Sequence, residues 1–167
     1  MKTLLKFLFI TVFALIVSCG GKGTNKKESF SYNKKTTTKN KASTTEARLP
    51  ASKIVDLSNK GVGPITFISL DTAIDQTMAA HGADVFKKMC TACHRPNKKF
   101  IGPSTTGILE RRSPEWVMNM ILKPEEMVQK DPLAKALLTE FNGSPMANQN
   151  LSEEDARAIL EYFRTLK

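Results

Sequence analysis

The chain divides into stretches that differ in their pattern of hydrophobic and polar residues. An apolar run over residues 7–17, broken by one threonine, follows a basic start. Residues 20–53 are polar with almost no large apolar side chains, whereas residues 54–70 hold short β-branched runs on either side of a turn. Over residues 72–167 apolar positions recur at the spacing of one helix face, which predicts a helical C-terminal domain.

The first predicted helix begins at Thr72 and runs into Cys90. Its apolar face consists of Ile74, Met78, Val85, Phe86 and Met89. Gly82 interrupts this helix, and a glycine inside a helix costs about 1 kcal/mol relative to alanine. We therefore expect Gly82 to mark a close packing contact.

Three further helices are predicted from their capping residues. Their starts are Ser113-Pro114, Asp131-Pro132 and Ser152. Ser and Asp at the cap accept a backbone hydrogen bond, and Pro suits the first helical position. The first of the three stops before Pro124, and the second ends around Asn142-Gly143. Asp155, three residues after the last cap, makes a partial capping box.

The start of the chain resembles the signal peptide of a bacterial lipoprotein. Residues 1–18 combine two lysines, an apolar run of 11 residues and a small-residue junction before Cys19. The run is shorter than the roughly 20 residues of a membrane-spanning helix. The resemblance implies that Cys19 is lipidated and becomes the mature N-terminus, although Ile16 stands where leucine is commonest. The alternative is an ordinary secretory signal with a stray cysteine, and both interpretations predict export.

Residues 19–53 are predicted to be a lipidated, disordered tether rich in Lys and Thr. Such a composition buries too little apolar surface to offset the entropy of ordering. Residues 20–53 hold nine basic and two acidic residues, whereas residues 54–167 hold 14 of each, so the +9 net charge of the chain does not indicate nucleic-acid binding. The tether is either a leash whose lysines favour an anionic membrane or an inert spacer.

Residues 54–71 differ from the tether and from the helical domain. Ile54-Val55-Asp56-Leu57 and Ile65-Thr66-Phe67-Ile68 are partly alternating, and the Gly61-Val62-Gly63-Pro64 turn separates them. The pattern predicts two short extended segments. We expect them to wrap the surface of the C-terminal domain.

Cys90-Thr91-Ala92-Cys93-His94 has the spacing for covalent attachment of a c-type haem. Two thioether bonds hold neighbouring edges of one porphyrin, and the adjoining imidazole becomes an axial ligand of the iron. A zinc half-site and a thioredoxin-like dithiol share the two cysteines. Zinc would need two more Cys or His ligands, and only His81 remains; no βαβ pattern accompanies the dithiol. The third cysteine, Cys19, is assigned to the lipid, so none is left over.

Coordination by His94 leaves one axial position of the iron for a second ligand. Methionine sulfur there suits electron transfer, whereas an open position suits gas binding or catalysis. Met146, in the loop before the last helix, is the predicted ligand, and Met127 is the alternative. His81 lies on the same helix as the motif, more than two turns away, which disfavours a bis-histidine site.

Residues 72–167 resemble a class I c-type cytochrome domain. The resemblance is carried by Gly82, Phe86 and Cys90 at four-residue steps, the pair Ile159 and Tyr162, Gly102-Pro103 and Met146. It implies an all-α fold of three to five helices around one covalent haem c, with a short extended N-terminal segment outside the resemblance. It also implies that the Pro103 carbonyl receives the second N–H of His94. The family's usual Met-Pro order is reversed, since Pro145 precedes Met146.

The sequence thus predicts a membrane-tethered, mono-haem electron carrier and not an enzyme. It is expected on the periplasmic side, anchored to the inner or outer membrane, with neither nucleic acid nor a small-molecule substrate. Its expected partners are an upstream electron donor and a terminal oxidase or periplasmic reductase.

Basic residues around the motif predict either a docking rim for an acidic partner or a solvated helix face. They are Lys87, Lys88, Arg95, Lys98 and Lys99. Two other functions stay open. One is a haem enzyme or gas sensor with an open or weakly ligated iron, and the other is a binding lipoprotein without a redox role.

Overall fold

Five α-helices form the framework of the molecule. The computed structural model describes residues 49–167, and within that range it contains five α-helices, two short 3-10 helices and no strand. The α-helices are α1 (Gln76–Met89), α2 (Pro114–Leu122), α3 (Pro124–Lys130), α4 (Pro132–Glu140) and α5 (Glu153–Thr165). The prediction of an all-α fold with three to five helices is confirmed. No helix in this part of the chain is long and apolar enough to cross a lipid bilayer.

The predicted signal peptide, Cys19 and most of the predicted tether lie outside the described residues. The last residues of the predicted tether are different, because Ala51–Lys53 form a 3-10 helix in which Ala51 is buried. The N–H and the hydroxyl of Ser52 donate to the carboxylate of Glu140, at 2.8 and 2.5 Å. The packed chain therefore begins before residue 54, through contacts with residues far away in sequence.

Side-chain caps set the helix starts, as the sequence predicted. Ser113, Asp131 and Ser152 each accept a hydrogen bond from the backbone N–H three residues later. The seven-residue helix α3 was not predicted. It begins at Pro124, directly after α2 ends, so the proline that was expected to close one helix also opens the next.

The first long helix begins later than predicted. α1 starts at Gln76 and not at Thr72, because the Asp75 side chain caps it by accepting a hydrogen bond from the Met78 N–H. Ile74, which was assigned to the apolar face of this helix, therefore lies before it.

Helices α1 and α5 cross in direct contact at Gly82. A Cβ atom placed on Gly82 would lie 1.9 Å from the carbonyl oxygen of Ala158 in α5. One turn further along α1, the ring of Phe86 packs against Tyr162 and Phe163, with centroid distances of 5.5 and 5.6 Å. The close contact expected at Gly82 is present, and only a residue without a side chain allows it.

Residues 54–75 follow an irregular path over the helices without pairing as strands. Ile65 is buried, and both its N–H and its carbonyl are hydrogen-bonded to the side-chain amide of Asn119 in α2, at 3.0 and 2.9 Å. The N–H of Val62 contacts Sδ of Met127 at 3.0 Å. This segment is therefore attached to the helices by specific hydrogen bonds along its length.

Most of the buried polar side chains bind this N-terminal segment. Those that contact residues 51–75 are Arg112, Ser113, Glu115, Asn119, Asp131 and Glu161. Thr105 is the remaining buried polar side chain among the described residues. Since a buried polar group without a partner costs about 1–3 kcal/mol, the helices depend on the segment to satisfy these groups.

Glu161 of α5 anchors the end of the segment where α1 begins. Its carboxylate accepts hydrogen bonds from the Asp75 N–H, at 2.9 Å, and from Arg157, at 2.6 Å. Burial acts to raise the pKa of Glu161, but these hydrogen bonds and the charges of Arg157 and Arg164 outweigh it and hold the pKa below its usual value. The ionised carboxylate is therefore the form that the fold stabilises.

Replacing Gly82 by alanine tests the crossing. Helix propensity alone would make Gly82→Ala stabilising by about 1 kcal/mol. We expect the opposite sign, a loss of roughly 1–3 kcal/mol, because the new methyl group would overlap a backbone carbonyl. Guanidinium unfolding of the purified protein measures the change in the free energy of unfolding. Ala80→Gly, at an exposed position of the same helix, is the control and should cost only its propensity. A stabilised Gly82→Ala variant would contradict the crossing.

Candidate haem-binding site

The haem-attachment motif lies at the C-terminal end of α1. Cys90 is the cap residue of the helix, and its carbonyl accepts hydrogen bonds from the N–H groups of Cys93 and His94, at 3.1 and 2.9 Å. This turn brings both sulfurs and the imidazole to the wall of one cavity. The crossing of α1 with α5 therefore also fixes where the motif lies.

The two thiols of the motif have different surroundings. Cys90 is half-buried and Cys93 is exposed, and no disulfide joins them. Burial first, and then the neighbouring charge of Cys93, raise the pKa of Cys90 to about 11. Before attachment this thiol is therefore protonated at neutral pH and a poor nucleophile. A thioether carries no such proton, so the shift concerns only the chain before attachment.

His94 is oriented by the loop that follows the motif. Its Nδ1 atom lies 3.0 Å from the carbonyl oxygen of Pro103. A carbonyl can only accept a hydrogen bond, so Nδ1 carries the proton and the lone pair of Nε2 is left for a metal. Gly102 allows this close approach, since a Cβ atom there would lie 2.5 Å from Cε1 of His94.

A cavity of about 620 Å³ lies beside His94. Cofactor sites typically have volumes of about 300–1,000 Å³. Its apolar wall comes from all five helices, through Phe86, Val117, Ile121, Val128, Leu137, Ile159 and Phe163. Each helix of the framework therefore contributes to the wall of this cavity.

Three buried polar atoms on residues of the cavity wall have no hydrogen-bond partner within residues 49–167. They are Oγ1 of Thr105, Nε of Arg111 and Nε of Arg112. A haem is apolar over both faces and carries two carboxylates, so these donors fit the carboxylates and the apolar wall fits the faces. With two cysteines and a histidine on the same cavity, the residues present fit a covalently bound haem.

Of the methionines among the described residues, three line the cavity and Met127 does not. The three are Met89, Met120 and Met146. Met127 is fully buried against the N-terminal segment, where its sulfur contacts Val62. Met146 lies in the loop between α4 and α5 and is half-buried against the core. The structure thus brings Met146 and His94 to one cavity and places Met127 elsewhere.

Comparison with known proteins places the chain in a family. A family model described as cytochrome c matches residues 79–167, just over half of the chain. The chain belongs to the cytochrome c family. Its cofactor is therefore haem c, for which Cys90, Cys93 and His94 provide the attachment motif. This membership removes the zinc and dithiol alternatives for the motif.

Solved cytochromes c from Rhodothermus marinus resemble this cytochrome. One is 41% identical with a TM-score of 0.61, and the match covers 70% of this chain and 93% of that one. An engineered form, Rma TDE, is 40% identical with a TM-score of 0.60 over 70% and 94% of the two chains. The same engineered protein bound to a carbene intermediate is 40% identical, with a TM-score of 0.58 and the same coverage. Among curated proteins no match was found.

The predicted docking-rim residues of this cytochrome occupy different places. Lys98 and Lys99 line the cavity and are exposed. Arg95 donates to the His94 carbonyl at 2.9 Å and stacks 4.4 Å from the Phe100 ring, so it holds the loop together. Lys87 and Lys88 are exposed in the last turn of α1 but do not line the cavity.

Two groups of cavity residues were not found from the sequence. The exposed apolar side chains Met89 and Ile101 lie on the cavity wall, at 38% and 46% exposure. The unpartnered donors of Thr105, Arg111 and Arg112 form the second group. An Arg-Arg pair before a helix cap carries no local signal for a carboxylate site. Only the folded chain brings these donors to the cavity.

His81, considered as an alternative ligand, lies away from the cavity. Its Nε2 atom is 2.9 Å from the carboxylate of Asp155 in α5. The hydrogen bond from His81, and then that from Ser152, lower the pKa of Asp155. His81 therefore belongs to the outer side of the α1–α5 contact.

Adding a methyl group at Gly102 tests how His94 is held. We expect Gly102→Ala to displace the imidazole and lengthen its contact with Pro103, since the Cβ atom would overlap the ring. Electron paramagnetic resonance of the ferric protein should then show a larger high-spin fraction than the parent. Asn97→Ala, in the same loop, is the control and should keep the parent spectrum. A Gly102→Ala spectrum identical to the parent would contradict the placement of the ring.

Proposed function

We propose that this cytochrome is a mono-haem electron carrier whose iron is ligated by His94 and Met146. The observation that carries the proposal is the single cavity that receives both cysteines of the motif, the imidazole and the loop methionine. A bound haem supplies a one-electron couple at its iron. Two protein ligands in both oxidation states keep reorganisation small, which suits electron transfer.

His94, Met146 and the apolar wall would each act on the iron in a different way. The protonated Nδ1 of His94 binds the Pro103 carbonyl, which fixes the ring and increases the basicity of Nε2. Met146 offers its thioether sulfur, a ligand that raises the reduction potential. The apolar wall excludes water from the cavity and further favours the ferrous state.

The opening of the cavity suits brief docking by a redox protein. Exposed Met89 and Ile101 provide an apolar contact area, and Lys98 and Lys99 flank it with positive charge. Partners with an acidic surface would be attracted to this area, and the attraction would weaken as salt increases. An upstream donor and a terminal oxidase or periplasmic reductase are the partner classes that we propose.

We also propose a location outside the cytoplasmic membrane. The support comes from the sequence, in which a signal-like start leads to Cys19 and then to a basic stretch up to residue 53. Lipidation at Cys19 would anchor the chain, and the basic stretch would favour an anionic surface. Mass spectrometry of the N-terminal peptide from the native membrane fraction tests this, and an unmodified Cys19 would contradict the anchor.

A second candidate is haem catalysis or gas binding after the loss of the Met146 ligand. Within the described residues, the hydrogen bonds of residues 144–151 stay inside the segment 141–151, so no bond to another element holds this loop. One of the engineered Rhodothermus marinus proteins is described as bound to a carbene intermediate. A loop held in this way would let a small ligand replace the sulfur.

Voltammetry and carbon monoxide uptake separate the two candidates. The carrier should give one reversible one-electron wave, and its ferrous form should take up carbon monoxide slowly, because the Met146 sulfur must first leave. Rapid uptake by the parent protein would favour the second candidate and contradict the carrier.

Charge reversal tests the docking area with ferricyanide as an anionic oxidant. Oxidation of the parent should slow as salt rises, and Lys98→Glu with Lys99→Glu should remove that dependence. Lys123→Glu with Lys135→Glu, at exposed positions that do not line the cavity, is the control and should keep most of it. Equal effects of the two pairs would contradict a localised docking area.

A further inference from the structure

The N-terminal segment reaches the haem cavity as well as the helices. Pro50, Ser52 and Lys53 line the cavity, although they precede residues 79–167 of the family match. We call residues 50–54 the strap. The strap is bound by Glu140 of α4 and by Arg112, and both of these side chains also line the cavity.

Arg112 connects the strap to the cavity. Its side chain is 1% exposed, Nη2 donates to the Ala51 carbonyl at 2.7 Å, and Nη1 donates to the Ile54 carbonyl. Its guanidinium lies 5.3 Å from the Trp116 ring. The strap thus accepts one hydrogen bond from each Nη group, and Nη1 also donates to the Arg111 carbonyl at 2.8 Å. Nε has no partner within the described residues.

Arg112 is a buried cation without a paired anion. None of the ion pairs within residues 49–167 includes it. Burial first, and then the charge of Arg111, lower the pKa of Arg112, although arginine stays charged in proteins. The acidic groups that act in the other direction are Asp56, Asp131 and Glu140. A buried charge is tolerated when it is paired and hydrogen-bonded, and a haem carboxylate is the acceptor that fits this cavity.

We propose that the strap positions Arg112 toward a haem carboxylate and closes that end of the cavity to water, so that a segment outside the family domain helps to set the reduction potential. This inference rests on the proposed function. A nearby cation and the exclusion of water both disfavour the additional positive charge of ferric iron. Loss of either one therefore lowers the midpoint potential.

The test compares Arg112→Gln with Arg164→Gln in the full-length, haem-loaded protein. Arg164 is a matched control, because its guanidinium also donates to carbonyls of the N-terminal segment, those of Asp71 and Thr72, and it does not line the cavity. Both variants should lose stability to guanidinium. Only Arg112→Gln should lower the midpoint potential. We expect about a tenfold change in the ferrous-to-ferric ratio at fixed applied potential, which is about 59 mV for one electron.

Two further variants separate positioning from folding. Arg112→Lys keeps the cation but cannot hold both carbonyls in the same way, so it should lose stability while retaining most of the potential. Ala51→Gln enlarges a buried side chain and should lift the strap without changing the charge. Ala51→Gln should therefore lower the midpoint potential. It should also make the midpoint potential fall more steeply with rising pH, because a haem carboxylate that Arg112 holds less firmly titrates at higher pH. Leu49→Gln, at a 69% exposed position, is its control.

The outcomes distinguish this inference from the function on which it rests. If Arg112→Gln and Ala51→Gln keep the parent potential while the parent shows a reversible wave, the role of the strap is wrong and the electron carrier stands. If the parent shows no reversible wave, the proposed function fails and the inference fails with it. If Arg112→Gln does not fold, Ala51→Gln and Arg112→Lys decide the question.

Discussion

The close contact between α1 and α5 at Gly82 is the constraint on which the haem site depends. It leaves no room for a side chain, since a Cβ atom would lie 1.9 Å from the Ala158 carbonyl oxygen. Cys90 follows Gly82 by two helical turns, so the crossing determines where the thioether-forming turn lies. Phe86, between them, packs on the aromatic rings of α5 and also lines the cavity.

Hydrogen bonds between the N-terminal segment and buried polar side chains of the helical domain also stabilise the fold. Arg112, Asn119 and Glu161 are each at most 1% exposed, and each binds backbone groups of residues 51–75. Glu161 also pairs with Arg157 and Arg164 of its own helix, but both hydrogen bonds that the Asn119 amide nitrogen donates go to the segment. The segment therefore completes the domain, and through Arg112 it reaches the cavity wall.

The features found from the sequence are those encoded over a few residues. The haem motif, the caps at Ser113, Asp131 and Ser152, and the glycine at the crossing all follow from local spacing and capping chemistry. Helix α3 was missed because its seven residues between two prolines give no helical period. The packing of Ala51 was not evident from the sequence, because its carbonyl binds Arg112, which lies 61 residues away. The unpartnered donors of Thr105, Arg111 and Arg112 likewise come together on the cavity wall only in the folded chain.

The most direct test of the account is the absorption spectrum of the ferric, haem-loaded protein and its methionine variants. Met89, Met120 and Met146 all line the cavity, so each is replaced by alanine in turn. Ligation by Met146 predicts a weak far-red sulfur–iron band in the parent that Met146→Ala alone abolishes. Persistence of that band in Met146→Ala, or a high-spin parent without the band, would contradict His94 and Met146 as the axial pair.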